Sequence, residues 1–224
     1  MLFRSPKPAS QCGWTLPHLR VNVQKQTCRP VANIFSKPED VYKLRDPQFV
    51  WETFKDDPVL GLILAARAGG KMPQQLIAPA AVSFGIPDEI IANAETAQQL
   101  KKIHTEAALY ATKNIITWTE QYVKSAGKNL MIILSFRRRN IAAALNGEPR
   151  FDESFTDWLK DKPYPVIDMR DAFEREYAQF SGDIDTYLDR YYNGHHTPLG
   201  NFFTAWAIKK QMVEWLEPKP LPYR

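Results

Sequence analysis

Two adjacent histidines carry the most specific chemical signal in this sequence. His195 and His196 lie in the loop 193–201, which contains glycine and proline and leads into an apolar segment. Histidine suits general acid–base catalysis because its ordinary pKa lies near neutrality. Thr197 as a helix cap and Pro198 in the first helical turn predict that this loop is held rigidly. Both imidazoles are therefore candidate proton carriers, and the alternative is that they only cap and pack.

Polar residues beside this loop and after a predicted strand could bind a ligand. Asn193 and Asn201 bracket the histidines, and Arg137 opens a run of three arginines behind an apolar run. Guanidinium groups bind carboxylate and phosphate groups in a bidentate manner, although a solvated helix start is the alternative for this run. We predict Arg137, Asn193 and Asn201 as ligand-binding residues.

The sequence predicts neither a metal site nor a cofactor. Neighbouring histidines rarely chelate one ion, and the sequence has no second cluster of ligands. Cys12 and Cys28 are the only cysteines, and they lack metal-ligand spacing. The sequence also lacks a glycine-rich phosphate loop.

The second half of the chain alternates helical and strand patterns. Apolar residues at three- and four-residue steps predict a long helix over 96–126, and another helix over 198–216. Two short apolar runs, 129–135 and 163–168, are typical of buried strands. Four more helices are predicted over 140–145, 152–160, 171–180 and 183–191. This order predicts an α/β fold, with parallel strands joined by helices.

The first half is harder to interpret. Asp57 predicts the cap of an apolar helix over 59–67 that ends at Gly69 and Gly70. Three prolines make the segment 71–88 look irregular or extended. Two strands do not make a stable sheet, so further strands are expected either in this half or in a piece upstream of it.

The sequence predicts that residues 1–35 form an irregular leader and that residues 36–224 form the α/β domain. The leader is rich in proline and basic residues and has no apolar periodicity, so it does not resemble a secretory signal. Its residues 2–5, Leu-Phe-Arg-Ser, are what a common sequencing-adapter end encodes. The leader is therefore either an assembly scar or a genuine disordered tail. A scar would make the chain the carboxyl-terminal part of a longer protein.

Charge and hydropathy exclude two classes of partner. Twenty-nine basic and 25 acidic residues give a net charge of +4, which is too small an excess to predict nucleic-acid binding. No apolar run approaches the roughly 18 residues that a membrane-spanning helix needs.

The histidine loop and the helix after it resemble the final sequence block of SGNH (GDSL-type) hydrolases. The run His195-His-Thr-Pro-Leu-Gly200, followed by an aromatic- and alanine-rich helix, matches that family's spacing from His to Gly. The spacing selects His195 over His196. The resemblance implies a flavodoxin-like three-layer αβα fold with a parallel sheet, seen here without its amino-terminal part. It also implies hydrolysis of a small-molecule or glycan-borne ester, or acyl transfer from it, with His195 as the base.

The chain departs from the family at three places. The family's Asp three residues before the His is Tyr192 here, so the nearest upstream acid, Asp189, becomes the candidate that orients His195. The family's Gly-Asp-Ser nucleophile block and its Gly-x-Asn-Asp block are absent from this sequence. Without a serine nucleophile and oxyanion donors, His195 has no acyl chemistry to serve. The alternative prediction is a non-catalytic binding or accessory domain.

Overall fold

The computed structural model describes residues 18–216, of which 61% are helical. The chain divides into two units, and the boundary lies between Trp118 and Thr119, inside the longest helix. Residues 1–17 lie outside the described range, so the adapter-like run 2–5 and Cys12 are not described. None of the described helices is both long enough and apolar enough to cross a membrane.

Unit 1 consists of a β-hairpin, a 3-10 helix and a set of α-helices. The 3-10 helix spans Pro38–Arg45. The strands and helices are β1 (His18–Asn22), β2 (Thr27–Val31), α1 (Pro47–Phe54), α2 (Pro58–Ala68), α3 (Gln74–Phe84), α4 (Asp88–Ala92) and the start of α5 (Ala97–Ser125). Its core is formed by small and aliphatic side chains of α2, α3, α4 and α5, such as Leu62, Ala80 and Leu100.

The hairpin turn of β1 and β2 docks on the end of α3. The backbone N–H groups of Val23 and Gln24 donate to the carbonyls of Phe84 and Gly85 at 2.8 and 3.0 Å. The Asn22 side-chain amide donates to the Val82 carbonyl at 3.0 Å. These donors satisfy carbonyls that a helix end leaves without intrahelical partners. The hairpin lies within the range 1–35 that the sequence predicts to be irregular.

Helix α2 confirms its predicted cap and stop. The Asp57 carboxylate accepts hydrogen bonds from the N–H groups of Val59 and Leu60, and Gly69 ends the helix with φ of 74°. A left-handed φ of this kind is costly for residues with a Cβ atom, which explains the glycine.

Helix α3 contradicts the irregular structure predicted over 71–88. The helix spans Gln74–Phe84 and contains Pro79 in its interior. Proline removes one backbone hydrogen bond and favours a break. Burial outweighs that cost because five side chains spaced along one face enter the core of unit 1: Leu76, Ile77, Ala80, Ala81 and Phe84.

Unit 2 combines short strands with helices. After the end of α5, its elements are β3 (Ile132–Leu134), α6 (Arg138–Leu145), α7 (Glu153–Lys160), β4 (Val166–Asp168), α8 (Met169–Tyr177), α9 (Ile184–Asp189), β5 (Tyr192–Asn193), β6 (His195–His196) and α10 (Pro198–Leu216). The predicted helix over 96–126 is confirmed within one residue at each end, and the predicted helix over 198–216 is confirmed at both ends.

The predicted parallel strand pair is confirmed, but the predicted α/β, flavodoxin-like three-layer fold is wrong. Strands β3 and β4 pair in parallel over three residues each, from Ile132 beside Val166 to Leu134 beside Asp168. Within residues 18–216 no third strand joins them, because the other strands form separate two-stranded antiparallel pairs. Most of the buried residues that cluster with Ile167 of this pair come from helices, so helix packing replaces a central sheet.

Aromatic side chains fill the core of unit 2. Phe173 of α8 lies at the centre, with its ring centroid 4.8 Å from that of Phe203 and 5.6 Å from that of Tyr191. Tyr187 and Tyr191 both donate their hydroxyl protons to the Glu176 carboxylate, at 2.5 Å each. Burial, and then the bond to Glu176, raises the pKa of Tyr191 to about 12. These contacts fix α8, α9 and α10 against one another.

Candidate functional site

The histidine loop forms a tight two-stranded turn. Tyr192 pairs with His196 and Asn193 with His195, around Gly194 at φ of 69°. His196 is half-buried, with its ring edge-on to Tyr192 at 4.8 Å, and burial lowers its pKa. His195 is exposed. The imidazole of His196 thus packs against the buried Tyr192, while His195 faces solvent.

Thr197 caps α10 as the sequence predicts. Its hydroxyl accepts from the Gly200 N–H at 3.0 Å and donates to the Arg190 carbonyl at 2.6 Å. A Cβ atom at Gly200 would lie only 2.3 Å from the Tyr191 carbonyl oxygen. The glycine at position 200, which is part of the resemblance, therefore has a packing reason that does not depend on catalysis.

Asp189 contacts an arginine in this structure. The Asp189 carboxylate accepts from Arg138 at 2.9 Å, and Arg138 also pairs with Asp185 at 2.8 Å. Within residues 18–216, no hydrogen bond or ion pair joins His195 to a carboxylate. The structure thus contains no His195–Asp189 contact of the kind that fixes a catalytic imidazole.

The predicted ligand-binding residues lie on separate elements. Arg137 is the exposed residue at the start of α6, and the Arg138 side chain beside it is occupied by Asp185 and Asp189. Asn193 is exposed in β5, and Asn201 is exposed in the first turn of α10. Within residues 18–216, no hydrogen bond joins any two of these three side chains.

A cleft lies over β3, β4 and α7, and none of the predicted site residues lines it. Its volume is about 510 Å³, and Leu134, Leu159 and Val166 give it an apolar floor. Volumes of this order are typical of small-molecule sites. Asp168 and Asp171 line one end, which agrees with the expectation that polar groups gather beyond the carboxyl end of a parallel strand.

At the acidic end of the cleft, an arginine forms ion pairs with two carboxylates. Arg150 bonds Asp152 at 2.9 Å and Asp168 at 2.8 Å. Although burial opposes it, the hydrogen bonds to the two carboxylates raise the pKa of Arg150. Glu153 and Asp171 also line this end, and no ion pair or hydrogen bond within residues 18–216 joins either carboxylate to a cation. Three carboxylates of the cleft, those of Glu153, Asp168 and Asp171, therefore share one arginine that is already paired.

The other end of the cleft is electrically balanced. Lys162 pairs with Glu120 at 2.8 Å and lies 3.7 Å from the centroid of the Trp158 ring. Tyr164 donates to the same Glu120 at 2.6 Å. Lys160 pairs with Asp157 at 2.7 Å. Each lysine at this end thus has its own carboxylate.

Asp171 is a carboxylate of the cleft whose pKa is raised. Loss of water contact, and then repulsion from Asp168 and Glu174, raises the pKa of Asp171, and attraction to Arg175 and Arg150 only partly opposes this. A raised carboxyl pKa in a cleft is a sign of a functional site. The sequence places Asp168 and Asp171 after a strand, but it does not point to Arg150 or Lys162. Both lie in connections between elements, where no spacing rule relates them to the acids.

No protein-family model, curated protein or solved structure matches this chain. The resemblance to SGNH hydrolases and the ester-hydrolase function stay predictions. Within residues 18–216 no group of three or more His, Cys, Asp and Glu side chains is arranged to hold a metal ion.

Proposed function

We propose that this chain is a binding module whose cleft in unit 2 takes a small ligand with an amine or guanidinium group on an apolar body. The observation that carries the proposal is the excess of carboxylates at one end of the cleft. Glu153, Asp168 and Asp171 line it together with Arg150, which is already paired with Asp168 and with the buried Asp152. A bound cation would offset the repulsion that raises the pKa of Asp171.

The dimensions of the cleft support an elongated ligand. Helix α7 lines the cleft along its length, from Glu153 to Lys160. Seven residues at about 1.5 Å each separate the two ends by roughly 10 Å. The aliphatic side chains of the cleft can pack against a short hydrocarbon chain, and the carboxylates would orient the ligand by binding its charged group.

Binding of three matched probes tests this proposal. Hexylamine, 1-hexanol and hexanoate share one hydrocarbon chain and differ in charge. We expect affinity to fall in that order, measured by NMR shifts of the backbone amides of Asp168 and Asp171. Asp171→Asn should weaken the binding of hexylamine by about fivefold, because an exposed ion pair contributes up to about 1 kcal/mol.

Asp161→Asn is the matched control. It makes the same change of charge at an exposed residue beside α7 that does not line the cleft. Hexanoate binding as tightly as hexylamine would overturn the proposal. Equal losses for Asp161→Asn and Asp171→Asn would overturn it as well, because only the overall charge of the unit would then matter.

A further inference from the structure

Helix α10 presents an apolar stripe to solvent. Its outward side chains are between 42% and 68% exposed: Leu199, Phe202, Trp206, Val213 and Leu216. The opposite side of the helix is also apolar, and there Phe203 enters the core of unit 2 with Ala207 and Ile208 packed against it. Burial of one face therefore accounts for only some of the apolar residues of this helix.

The α10 stripe has the spacing of a coiled-coil seam. With the exposed Lys209 included, its members follow one another at steps of three, four, three, four and three residues. This repeat keeps one face of a helix against a second helix. Over 17 residues at about 1.5 Å each, the face is roughly 26 Å long. A short helical partner fits such a face.

We propose that the α10 stripe pairs with the α10 stripe of a second copy of this chain, with the two helices antiparallel. An antiparallel seam opposes Leu199 to Leu216 of the second copy, and Phe202 to Val213 of the second copy. At the centre, Trp206 faces Lys209 of the second copy, and the symmetry repeats that pair. Parallel pairing would instead place two Lys209 ammonium groups against each other.

The central pair is chemically complementary. An ammonium group over the face of an indole ring is an attractive arrangement. Unit 2 already makes this contact between Lys162 and Trp158. Trp206 is held in place for it, because its ring stacks on the buried Phe203 with centroids 6.0 Å apart. The lysine that interrupts the stripe thus selects the antiparallel arrangement.

A groove beside the stripe extends the contact. It has a volume of about 790 Å³ and lies between α8 and α10, with Trp206 and Val213 on one wall and Arg175 and Gln179 on the other. The second helix would rest along the mouth of this groove, so that apolar side chains meet at the seam and polar ones at its rim.

Sedimentation velocity of the full chain tests whether the dimer forms. We expect a reversible monomer–dimer equilibrium with a dissociation constant below about 100 μM, as for a transient complex. Trp206→Ala should raise the dissociation constant at least about 30-fold, since a central tryptophan is a typical hot spot. Lys209→Glu changes an exposed side chain without disturbing the core. It should also weaken the dimer, because a carboxylate is repelled by the ring face.

Trp51→Ala is the matched control, because Trp51 is 65% exposed and Trp206 is 63% exposed, but Trp51 lies in unit 1. It should leave the dissociation constant unchanged. A chain that stays monomeric at protein concentrations up to about 100 μM would overturn the proposal. That holds whether the stripe is covered by another protein or by residues outside 18–216. Equal effects of Trp51→Ala and Trp206→Ala would overturn it too.

Disulfide trapping tests the direction of the helices. In a chain with Cys12 and Cys28 replaced by serine, Leu199→Cys and Leu216→Cys are made as separate proteins. On mild oxidation each protein alone should stay uncrosslinked, and the mixture should give the mixed dimer. Crosslinking of Leu199→Cys with itself would establish parallel pairing and refute the arrangement proposed here.

Discussion

Gly200 packs so closely against the backbone of Tyr191 that a single methyl group at this position should destabilise unit 2. A Cβ atom at position 200 would lie 2.3 Å from the Tyr191 carbonyl oxygen and 3.1 Å from its carbon. That oxygen cannot easily move, because it accepts a hydrogen bond from the Thr197 N–H at 2.9 Å. Gly200→Ala therefore forces this carbonyl to move, which strains the backbone and also breaks that hydrogen bond.

The expected loss of stability follows from two destabilising contributions and one stabilising contribution. Overpacking of this kind costs about 1–3 kcal/mol, and the lost hydrogen bond about 1 kcal/mol. Alanine recovers about 1 kcal/mol of helix propensity relative to glycine. We expect Gly200→Ala to lower the free energy of unfolding by about 2 kcal/mol.

Gly61→Ala provides the comparison. A Cβ atom at Gly61 would also meet an atom at 2.3 Å, but that atom is the Cδ1 of Leu76, the end of a flexible side chain. Its cost should be within about 1 kcal/mol of zero. Hydrogen–deuterium exchange of the α10 and α2 amides measures each effect locally. Exchange in α10 of Gly200→Ala that is as slow as in the wild type would refute the reasoning.

Two further predictions concern the histidine loop and the cleft. Because His195 contacts no carboxylate within residues 18–216, His195→Ala should hydrolyse p-nitrophenyl acetate at the wild-type rate; a loss of about a hundredfold would support the ester-hydrolase prediction instead. The folded state raises the pKa of Asp171, so ionisation of this carboxyl disfavours folding at neutral pH, and the penalty disappears below its unfolded pKa. Asp171→Asn should thus raise the free energy of unfolding at pH 7 but not at pH 3, measured by urea denaturation; the reverse pattern would contradict the assigned shift.

Local signals in the sequence predict much of the secondary structure. Asp57, Gly69 and Thr197 act through their own backbone or that of near neighbours, so their roles can be inferred from type and position alone. The long helix over 96–126 and the parallel pairing of two short apolar runs are also confirmed. The caps depend on a few consecutive residues, the long helix on apolar spacing along one segment, and the parallel pairing on the order of strands and helices along the chain.

The fold class depends on long-range packing, and there the prediction failed. An alternation of helices and strands does not tell how many strands share a sheet. In this chain the apolar runs at 129–135 and 163–168 give only three paired residues each. The sequence analysis missed helix α3 because its prolines suggest an irregular segment. In the folded chain, the burial of its apolar face stabilises the helix despite Pro79. Arg150 was missed because its bond to Asp168 spans elements whose arrangement the sequence does not reveal.

The docking of the hairpin on α3 has a consequence for the order of folding. The bond from Asn22 to the Val82 carbonyl joins residues 60 positions apart, so a long loop must close before it can form. An isolated two-stranded hairpin is at best marginally stable in water. Strands β1 and β2 should therefore assemble only on an α3 that is already helical, which makes them a late addition to unit 1 and the first part to detach.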